Sequence, residues 1–138
     1  RWFADVQARH ARFRYEPDPR AGITGRAIDW TFVNPKAGVT WQPAPRWSVV
    51  ASVGATSREP ARNDLFAGDD DLNAGNVDAI GDFSRVRPER LRDTELGLSW
   101  QGGAGRVQAT LYSMDFSNDI ARIGAPTASG AILRRNVG

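Results

Sequence analysis

The sequence is poor in the residue types that carry chemistry or cross-link small folds. Its 138 residues include no cysteine, a single histidine and a single methionine. The lack of cysteine excludes disulfide scaffolds, thiolate zinc sites and cysteine nucleophiles. The lone His10 has no second histidine to complete a metal or catalytic cluster, and neither a Gly-x-Ser-x-Gly motif nor a phosphate-binding loop followed by a helix is present. The sequence therefore predicts neither an enzyme nor a bound cofactor.

Long apolar runs are also missing. Hydrophobic residues make up 41% of the chain, yet no run approaches the roughly 18 apolar residues that a membrane-spanning helix needs. Any contact with lipid must therefore be made by strands. No signal peptide is visible at the start, so for an exported protein we expect a mature or excised segment.

Lysine is nearly absent, because Lys36 is the only one among 18 basic residues and the other 17 are arginines. The formal net charge is +2, and the arginines are spread along the whole chain without a short basic run or interleaved aromatic residues. Nucleic-acid-binding domains concentrate their basic residues on one surface. We therefore expect no nucleic-acid partner.

What the chain does have is a series of stretches with the alternation of β-strands. The connections between them are long around Glu16–Asp29, tight at Pro43–Arg46, very long at Ser57–Arg90, tight again at Gln101–Arg106, and long at Gly124–Ala131. Short turns at one end and long loops at the other are typical of a transmembrane β-barrel. The predicted strands are Trp2–Tyr15, Thr31–Gln42, Trp47–Thr56, Leu91–Trp100, Val107–Ile123 and a strand that begins at Ile132.

Within these strands one face is apolar and the other is small or polar. In Trp47–Thr56 the odd positions are Trp, Val or Ala and the even positions are mostly Ser, Gly or Thr. Nine residues at about 3.3 Å each, tilted by about 40°, rise roughly 23 Å, close to the apolar band of about 25 Å on a membrane barrel. Trp41, Trp47 and Trp100 flank the tight turns, where an aromatic girdle is expected, although they could also be core anchors of hairpins.

Two stretches break the alternation. In Trp2–Tyr15 the apolar parity changes between Ala8 and Ala11, which predicts a bulge or a strand end that rises above the membrane. In Val107–Ile123 the bulky residues change parity after Leu111. The residues Tyr112, Met114 and Phe116 would then face the interior if no bulge intervenes.

Several segments follow one another in an order that is informative as a series. They are Asn34–Pro43, Trp47–Ala55 with Ser57–Pro60 and Asn63–Phe66, Arg87–Arg90 with Thr94–Trp100, Leu111–Phe116 with Asp119–Ile120, and Asn136–Gly138. This series resembles the barrel of TonB-dependent outer-membrane receptors. The resemblance extends well from Asn34 to Gly138 and only loosely over the first thirty residues.

The resemblance implies an antiparallel up-and-down meander of about six strands from a large barrel, a size class of about 22 strands with a plugged lumen. It implies an outer-membrane importer of a Gram-negative bacterium for a scarce ligand such as siderophore-iron, haem, cobalamin or a glycan. Residues 1–138 would form one partial-barrel unit without a plug domain. Its partners would be the small-molecule ligand, outer-membrane lipid, the plug and other strands of the same receptor, and TonB through a missing N-terminal part.

Receptors of this family generally capture ligands with loop and upper-lumen side chains. The resemblance therefore implies that ligand-binding residues lie where the third connection, Ser57–Arg90, begins. The alternative is that Arg58, Glu59 and Pro60 only end a strand and form salt bridges to neighbours. The candidate ligand-binding residues are Arg58, Glu59, Arg62, Asn63, Asp64 and Phe66.

The same loop concentrates acidic residues, and Asp69, Asp71 and Asn73 have the alternate spacing of the first calcium ligands in an EF-hand. However, Ala74 and Ile80 stand where that motif needs Gly and Glu. A solvated loop is the favoured interpretation, and looser calcium binding stays open as an alternative.

Two further functions remain possible at this point. One is a passive porin or an adhesin-like barrel, and the other is a soluble β-rich binding module. A soluble module would require Val49, Val53, Leu96 and Leu98 to meet inside a compact core, whereas a barrel would leave them on the outer surface.

Overall fold

The computed structural model describes residues 1–69, 71–124 and 133–137. Most of the described chain is strand, with short helical turns in the connections. The strands are β1 (Trp2–Tyr15), β2 (Arg26–Ala44), β3 (Trp47–Arg58), β4 (Glu89–Gly102), β5 (Gly105–Ser117), β6 (Asp119–Arg122) and β7 (Arg134–Val137), and the α-helical turns are α1 (Arg62–Leu65) and α2 (Val77–Ile80).

The first five strands form one sheet in the order β1-β2-β3-β4-β5, and β6 pairs with β7 in a second, antiparallel sheet. Each strand of the large sheet therefore pairs with its neighbours in sequence, which confirms the predicted all-β antiparallel meander. Within the described ranges β1 and β5 are the two edges, so the sheet is not closed into a barrel. No helix in this part of the chain is long and apolar enough to cross a bilayer.

Several strand bounds differ from those that the sequence predicts. β2 begins at Arg26 rather than Thr31, because Ile28 and Trp30 pack against a hydrophobic core and hold this segment extended. The predicted strand Val107–Ile123 is two strands, divided at Asn118, whose φ of 57° lies in the left-handed region that Asn tolerates better than most residues. The predicted strand start at Ile132 lies outside the described residues.

The chain divides into two compact units. The first, named the wall unit here, comprises residues 1–8, 33–57 and 90–116. The second, named the loop unit, comprises residues 9–32, 58–89 and the described residues from 117 on. All of the buried hydrophobic side chains of the described chain belong to the loop unit: Phe32, Leu65, Phe66, Leu72 and Phe83.

The wall unit is apolar on the outside. In the pairing of β2 with β3, Ala37 lies opposite Val53, Val39 opposite Ala51 and Trp41 opposite Val49, so these side chains share one face. Val53 is 55% exposed. On β4, Leu96 and Leu98 are likewise exposed. These residues do not form the compact core that a soluble module would need.

The opposite face of the wall unit is mostly small or polar, and Val50 also lies on it. The two buried residues of the wall unit, Asn34 and Ser52, are both polar. Gly54 lies on this face, where an added Cβ would sit 2.6 Å from the Asp93 carboxylate. A larger residue at Gly54 would therefore have to displace that carboxylate.

The loop unit has a conventional core. Leu65, Phe66, Leu72 and Phe83 form a buried cluster, and strand residues including Phe13 pack against it. The Phe13 ring meets the rings of Phe66 and Phe83 edge-on, with centroids 6.1 and 5.4 Å apart. Burying each such side chain stabilises a fold by about 1.5–3 kcal/mol.

This core explains the parity change in β1. The strand is continuous from Trp2 to Tyr15. Its apolar residues change sides because Phe13 and Tyr15 reach the core of the loop unit. The sequence predicted that this parity change marks a bulge or a strand end that rises above the membrane. In the structure the change occurs where the side chains of β1 begin to pack against the core of the loop unit.

Candidate functional site

The connection between β3 and β4, residues 59–88, supplies most of the loop unit's core and all but one of the candidate ligand-binding residues. Its first turn is the short helix α1. The carboxylate of Asp64 accepts a hydrogen bond from the backbone N–H of Ala61 at 2.9 Å, which satisfies one of the free N–H groups at the start of α1. The turn therefore has a side-chain cap of its own.

A buried ion pair joins α1 to β7. Arg134 Nη1 donates to Asp64 Oδ1 at 2.7 Å, and the two side chains are 27% and 4% exposed. The backbone N–H of Arg134 also donates to the carbonyl of Ala67 at 3.1 Å. Because Asp64 is shielded from water, Arg134 is the charge that compensates it.

Arg62 is held at the surface by two neighbours. Its guanidinium carbon lies 4.9 Å from the centroid of the Phe66 ring, and Arg62 Nη2 lies 3.9 Å from Asp71 Oδ1. The side chain of Arg62 remains 53% exposed. Stacking on an aromatic ring and a nearby carboxylate orient the guanidinium while leaving it accessible to solvent.

Asp71 is itself fixed by β1. The Tyr15 hydroxyl donates to Asp71 Oδ1 at 2.6 Å, and the N–H of Leu72 donates to the same oxygen at 2.9 Å. These two hydrogen bonds, with a smaller contribution from the charge of Arg62, outweigh desolvation and lower the pKa of Asp71 below its ordinary value. Asp71 is thus held as a carboxylate beside Arg62.

Arg58 is positioned by Glu89 at the start of β4. Arg58 Nε donates to Glu89 Oε2 at 2.6 Å, while Glu89 Oε1 accepts the backbone N–H of Ile120 at 2.9 Å. The Glu89 side chain is only 16% exposed, whereas that of Arg58 is 67% exposed. One carboxylate therefore links the end of β3, the start of β4 and the start of β6.

Glu59 forms a two-bond ion pair with Arg9 of β1. Arg9 Nη1 donates to Glu59 Oε1 at 3.0 Å, Arg9 Nη2 binds the other oxygen, and the guanidinium carbon lies 5.1 Å from the centroid of the Phe32 ring. Burial alone would raise the pKa of Glu59, but hydrogen bonding and the charge of Arg9 reverse this and lower it. Glu59 is therefore a structural anion that ties the loop to β1.

The side-chain oxygens of the three residues with calcium-loop spacing accept hydrogen bonds from three different residues. Asp69 Oδ2 accepts a hydrogen bond from Asn76, Asp71 Oδ1 from Tyr15, and Asn73 Oδ1 from the N–H of Gly75. In the described part of the chain, no group of three or more His, Cys, Asp or Glu side chains could hold a metal ion. The geometry therefore gives no support to the calcium alternative.

A sheet that is apolar on its outer face, together with the order of the strands, matches what the sequence resemblance predicted. A family model described as "TonB dependent receptor-like, beta-barrel" matches residues 1–138. The chain belongs to this family. TonB-dependent receptors are outer-membrane transporters of Gram-negative bacteria rather than enzymes. No curated protein matches the chain.

In this receptor segment the candidate ligand-binding residues differ in exposure and fall into three groups. Arg58, Arg62 and Asn63 are exposed. Asp64 and Phe66 are buried at 3% and 0% exposure, and they support α1 and Arg62 respectively. Glu59 is partly buried and bound to Arg9. The binding role of all six stays a prediction.

Sequence reasoning missed Asn136, the residue that joins the start of β4 to β7. Its side-chain amide accepts the N–H of Arg87 at 2.8 Å and donates to the carbonyl of the same residue at 2.9 Å. It also donates to the carbonyl of Asn118 at 2.6 Å. The one feature of the sequence that points to this contact is Pro88. Proline has no backbone N–H to donate to a neighbouring strand, so a side chain can take the place of backbone pairing there.

Replacing Arg134 with Ala is expected to destabilise α1 strongly. The change leaves the Asp64 carboxylate buried without its counter-ion, and breaking a buried pair in this way typically costs about 3–5 kcal/mol. Amide hydrogen exchange over residues 61–68 of the receptor should accelerate accordingly. The matched control is Arg135→Ala, because Arg135 is the exposed neighbour on β7. Equal exchange in the two variants would contradict the role of the pair.

Acidification is expected to loosen the loop around Asp71. Its pKa is lowered from the ordinary value of 3.8 in the folded protein, so its contribution to stability is present above that value and is lost as pH falls through the folded pKa. Pepsin cleavage within residues 59–88 should therefore rise as the pH is lowered below about 3.8. Tyr15→Phe removes the hydroxyl donor and should move this transition toward higher pH. An unchanged transition would rule out the Tyr15 hydrogen bond as the cause.

Proposed function

We propose that this chain forms part of the barrel wall of an active-transport receptor in the outer membrane of a Gram-negative bacterium. In this proposal the wall unit contacts lipid and the loop unit contributes side chains that capture the ligand. The observation that carries the proposal is the inside-out distribution of side chains in the wall unit. It has no buried hydrophobic residue, yet it exposes Val39, Trp41, Val53, Leu96 and Leu98.

An exposed apolar surface of this kind favours a protein that contacts lipid over one that is surrounded by water. Soluble monomers rarely expose contiguous apolar patches larger than a few hundred square ångströms, and here the exposed apolar side chains continue across neighbouring strands. Exposed Trp41 and Trp47 flank the tight turn between β2 and β3, where the girdle of a membrane barrel is expected. These features favour a membrane barrel over the soluble binding module.

Ligand capture is assigned to the exposed members of the predicted set, Arg58, Arg62 and Asn63. Two guanidinium groups held by carboxylates and an aromatic ring suit a ligand with anionic oxygens, because a guanidinium donates several hydrogen bonds in a fixed plane. Glu59, Asp64 and Phe66 hold these three in place through Arg9, the cap of α1 and the stack beneath Arg62.

The ligand belongs, in this proposal, to the scarce nutrients that need active import: siderophore-iron, haem, cobalamin or a glycan. Energy would come from TonB acting through the plug of the same receptor. Family membership supports this importer over a passive porin or an adhesin.

An arginine placed on the apolar face of the wall unit tests whether this face contacts lipid. Leu96 lies four residues from Trp100, about 10 Å from the girdle at about 3.3 Å a residue and a tilt of about 40°, and thus near the middle of the apolar band. Leu96→Arg should therefore destabilise the folded barrel by about 2–4 kcal/mol. Gln108→Arg on the inner face of β5 is the control and should have little effect. Urea unfolding of the receptor in vesicles measures both, and equal stability would contradict the assignment.

Substitution of the two exposed arginines tests ligand capture. A ferric hydroxamate siderophore, haem and cyanocobalamin serve as probes, and fluorescence titration of the full-length receptor identifies which of them binds. Arg58→Ala and Arg62→Ala should each weaken binding of that probe by about tenfold or more, as charged hydrogen bonds contribute about 1.5–3 kcal/mol. Arg122→Ala, an exposed arginine of β6, is the control. Unchanged affinity in both variants would remove these residues from the binding site.

A further inference from the structure

An apolar groove lies on the outward face of the wall unit, at the end of the strands that carries the tight turns. It spans β3, β4 and β5 and has a volume of about 380 Å³. None of its lining side chains is charged, and the only polar groups among them are two indole N–H groups. The lining residues are Trp47, Leu98, Trp100, Val107 and Ala109.

The groove follows from the sizes of its side chains. The two indoles stand on neighbouring strands, while Ala109 on β5 is too small to fill the space beside them. The Trp100 ring also leans over Gly102, where an added Cβ would sit 2.4 Å from the indole. That close approach holds the ring toward the turn and leaves Leu98 43% exposed on the groove side.

Arginines are the only charged residues at the two tight turns. The segments 43–46 and 101–106, which contain the turns and the adjoining strand ends, include Arg46 and Arg106 and no Asp or Glu. The N–H of Gln101 donates to the carbonyl of Arg46 at 2.9 Å, which fixes the first turn beside the end of β4. Arg106 donates to Gln108 of the polar inner face. Arg46 is exposed and directly precedes Trp47 in the chain, so it is the arginine of these turns that lies next in sequence to a lining residue.

We infer that the groove binds one anionic phospholipid of the periplasmic leaflet, with an acyl chain between Trp47 and Trp100 and the phosphate at Arg46. This inference rests on the proposed function, since short turns of an outer-membrane barrel lie on the periplasmic side. Acyl chains match a lining that is apolar apart from two indole N–H groups, and an arginine beside an anionic lipid surface strengthens attachment by about fivefold. The groove differs from the rest of the apolar face because it is concave and because an arginine stands in the turn at one end of it.

The test is native mass spectrometry of the full-length receptor, released from detergent after incubation with phosphatidylglycerol or with phosphatidylethanolamine of the same acyl composition. The wild type should retain one phosphatidylglycerol about fivefold more than phosphatidylethanolamine. Ala109→Trp fills the groove and should abolish retention of that lipid. Arg46→Gln should keep the acyl contact and bring the two lipids to equal retention.

Two controls carry the same changes elsewhere. Val39→Trp adds an equally large ring to the outward face away from the groove lining, and Arg122→Gln removes an arginine from the loop unit. Both should retain phosphatidylglycerol as the wild type does. Equal retention of both lipids by the wild type, or unchanged retention in Ala109→Trp, would overturn the inference.

The same preparations separate this inference from the proposed function. Each variant is checked for the shift in gel mobility on heating that a folded barrel shows, and for binding of the ligand probe. A folded, ligand-binding receptor that shows no lipid preference contradicts the lipid site alone. A wild-type receptor that is absent from the outer-membrane fraction contradicts the proposed function.

Discussion

One constraint governs barrels of the family to which this chain belongs: a sheet in lipid must pair its backbone polar groups within the protein while it presents apolar side chains to its surroundings. The wall unit agrees with the second requirement because it inverts the usual arrangement of side chains, while β1 and β5 are open edges within the described ranges. Its buried residues are Asn34 and Ser52, and its large apolar side chains are exposed. Small residues on the inner face, such as Gly54 beside Asp93, then allow polar groups to pack closely where a water-soluble sheet would place its core.

The same strands obey the opposite rule in the loop unit. Apart from Phe3, the apolar residues of β1 occupy even positions up to Ala8 and odd positions from Ala11 on, and those of β2 change from Ile28 and Trp30 to Val33. These changes coincide with the limits between the two units, after Ala8 and after Phe32. No bulge is required in β1, because an extended strand has two faces and either can be the covered one.

How much of this could be predicted from the sequence depends on the range of the interaction. Alternation and loop length are local, and they predicted the strands, the tight turns within residues 43–46 and 101–106 and the apolar face that includes Val53 and Leu96, whereas the meander follows from the family resemblance. The early start of β2 at Arg26 could not be predicted, because it depends on core residues more than thirty positions away. The division at Asn118 likewise depends on the amide of Asn136.

The candidate site shows the same limit. Composition and family resemblance directed attention to residues 58–66, but they could not distinguish exposed Arg62 from buried Phe66 directly beneath it. The partners that orient the exposed arginines, Glu89 for Arg58 and the Tyr15–Asp71 pair for Arg62, come from distant parts of the chain. Such pairings are decided by the fold, and the residue types alone do not reveal them.

The core inside the connection between β3 and β4 has a consequence for how such receptors diversify. A connection that packs Leu65, Phe66, Leu72 and Phe83 into its own interior keeps its shape when residues at its rim are exchanged. Surface substitutions can then change the rim of the connection without disturbing its interior. Transplanting the connection into another barrel would also require residues equivalent to Phe13, Ile28 and Trp30 in the host strands, because these strand residues pack against its core.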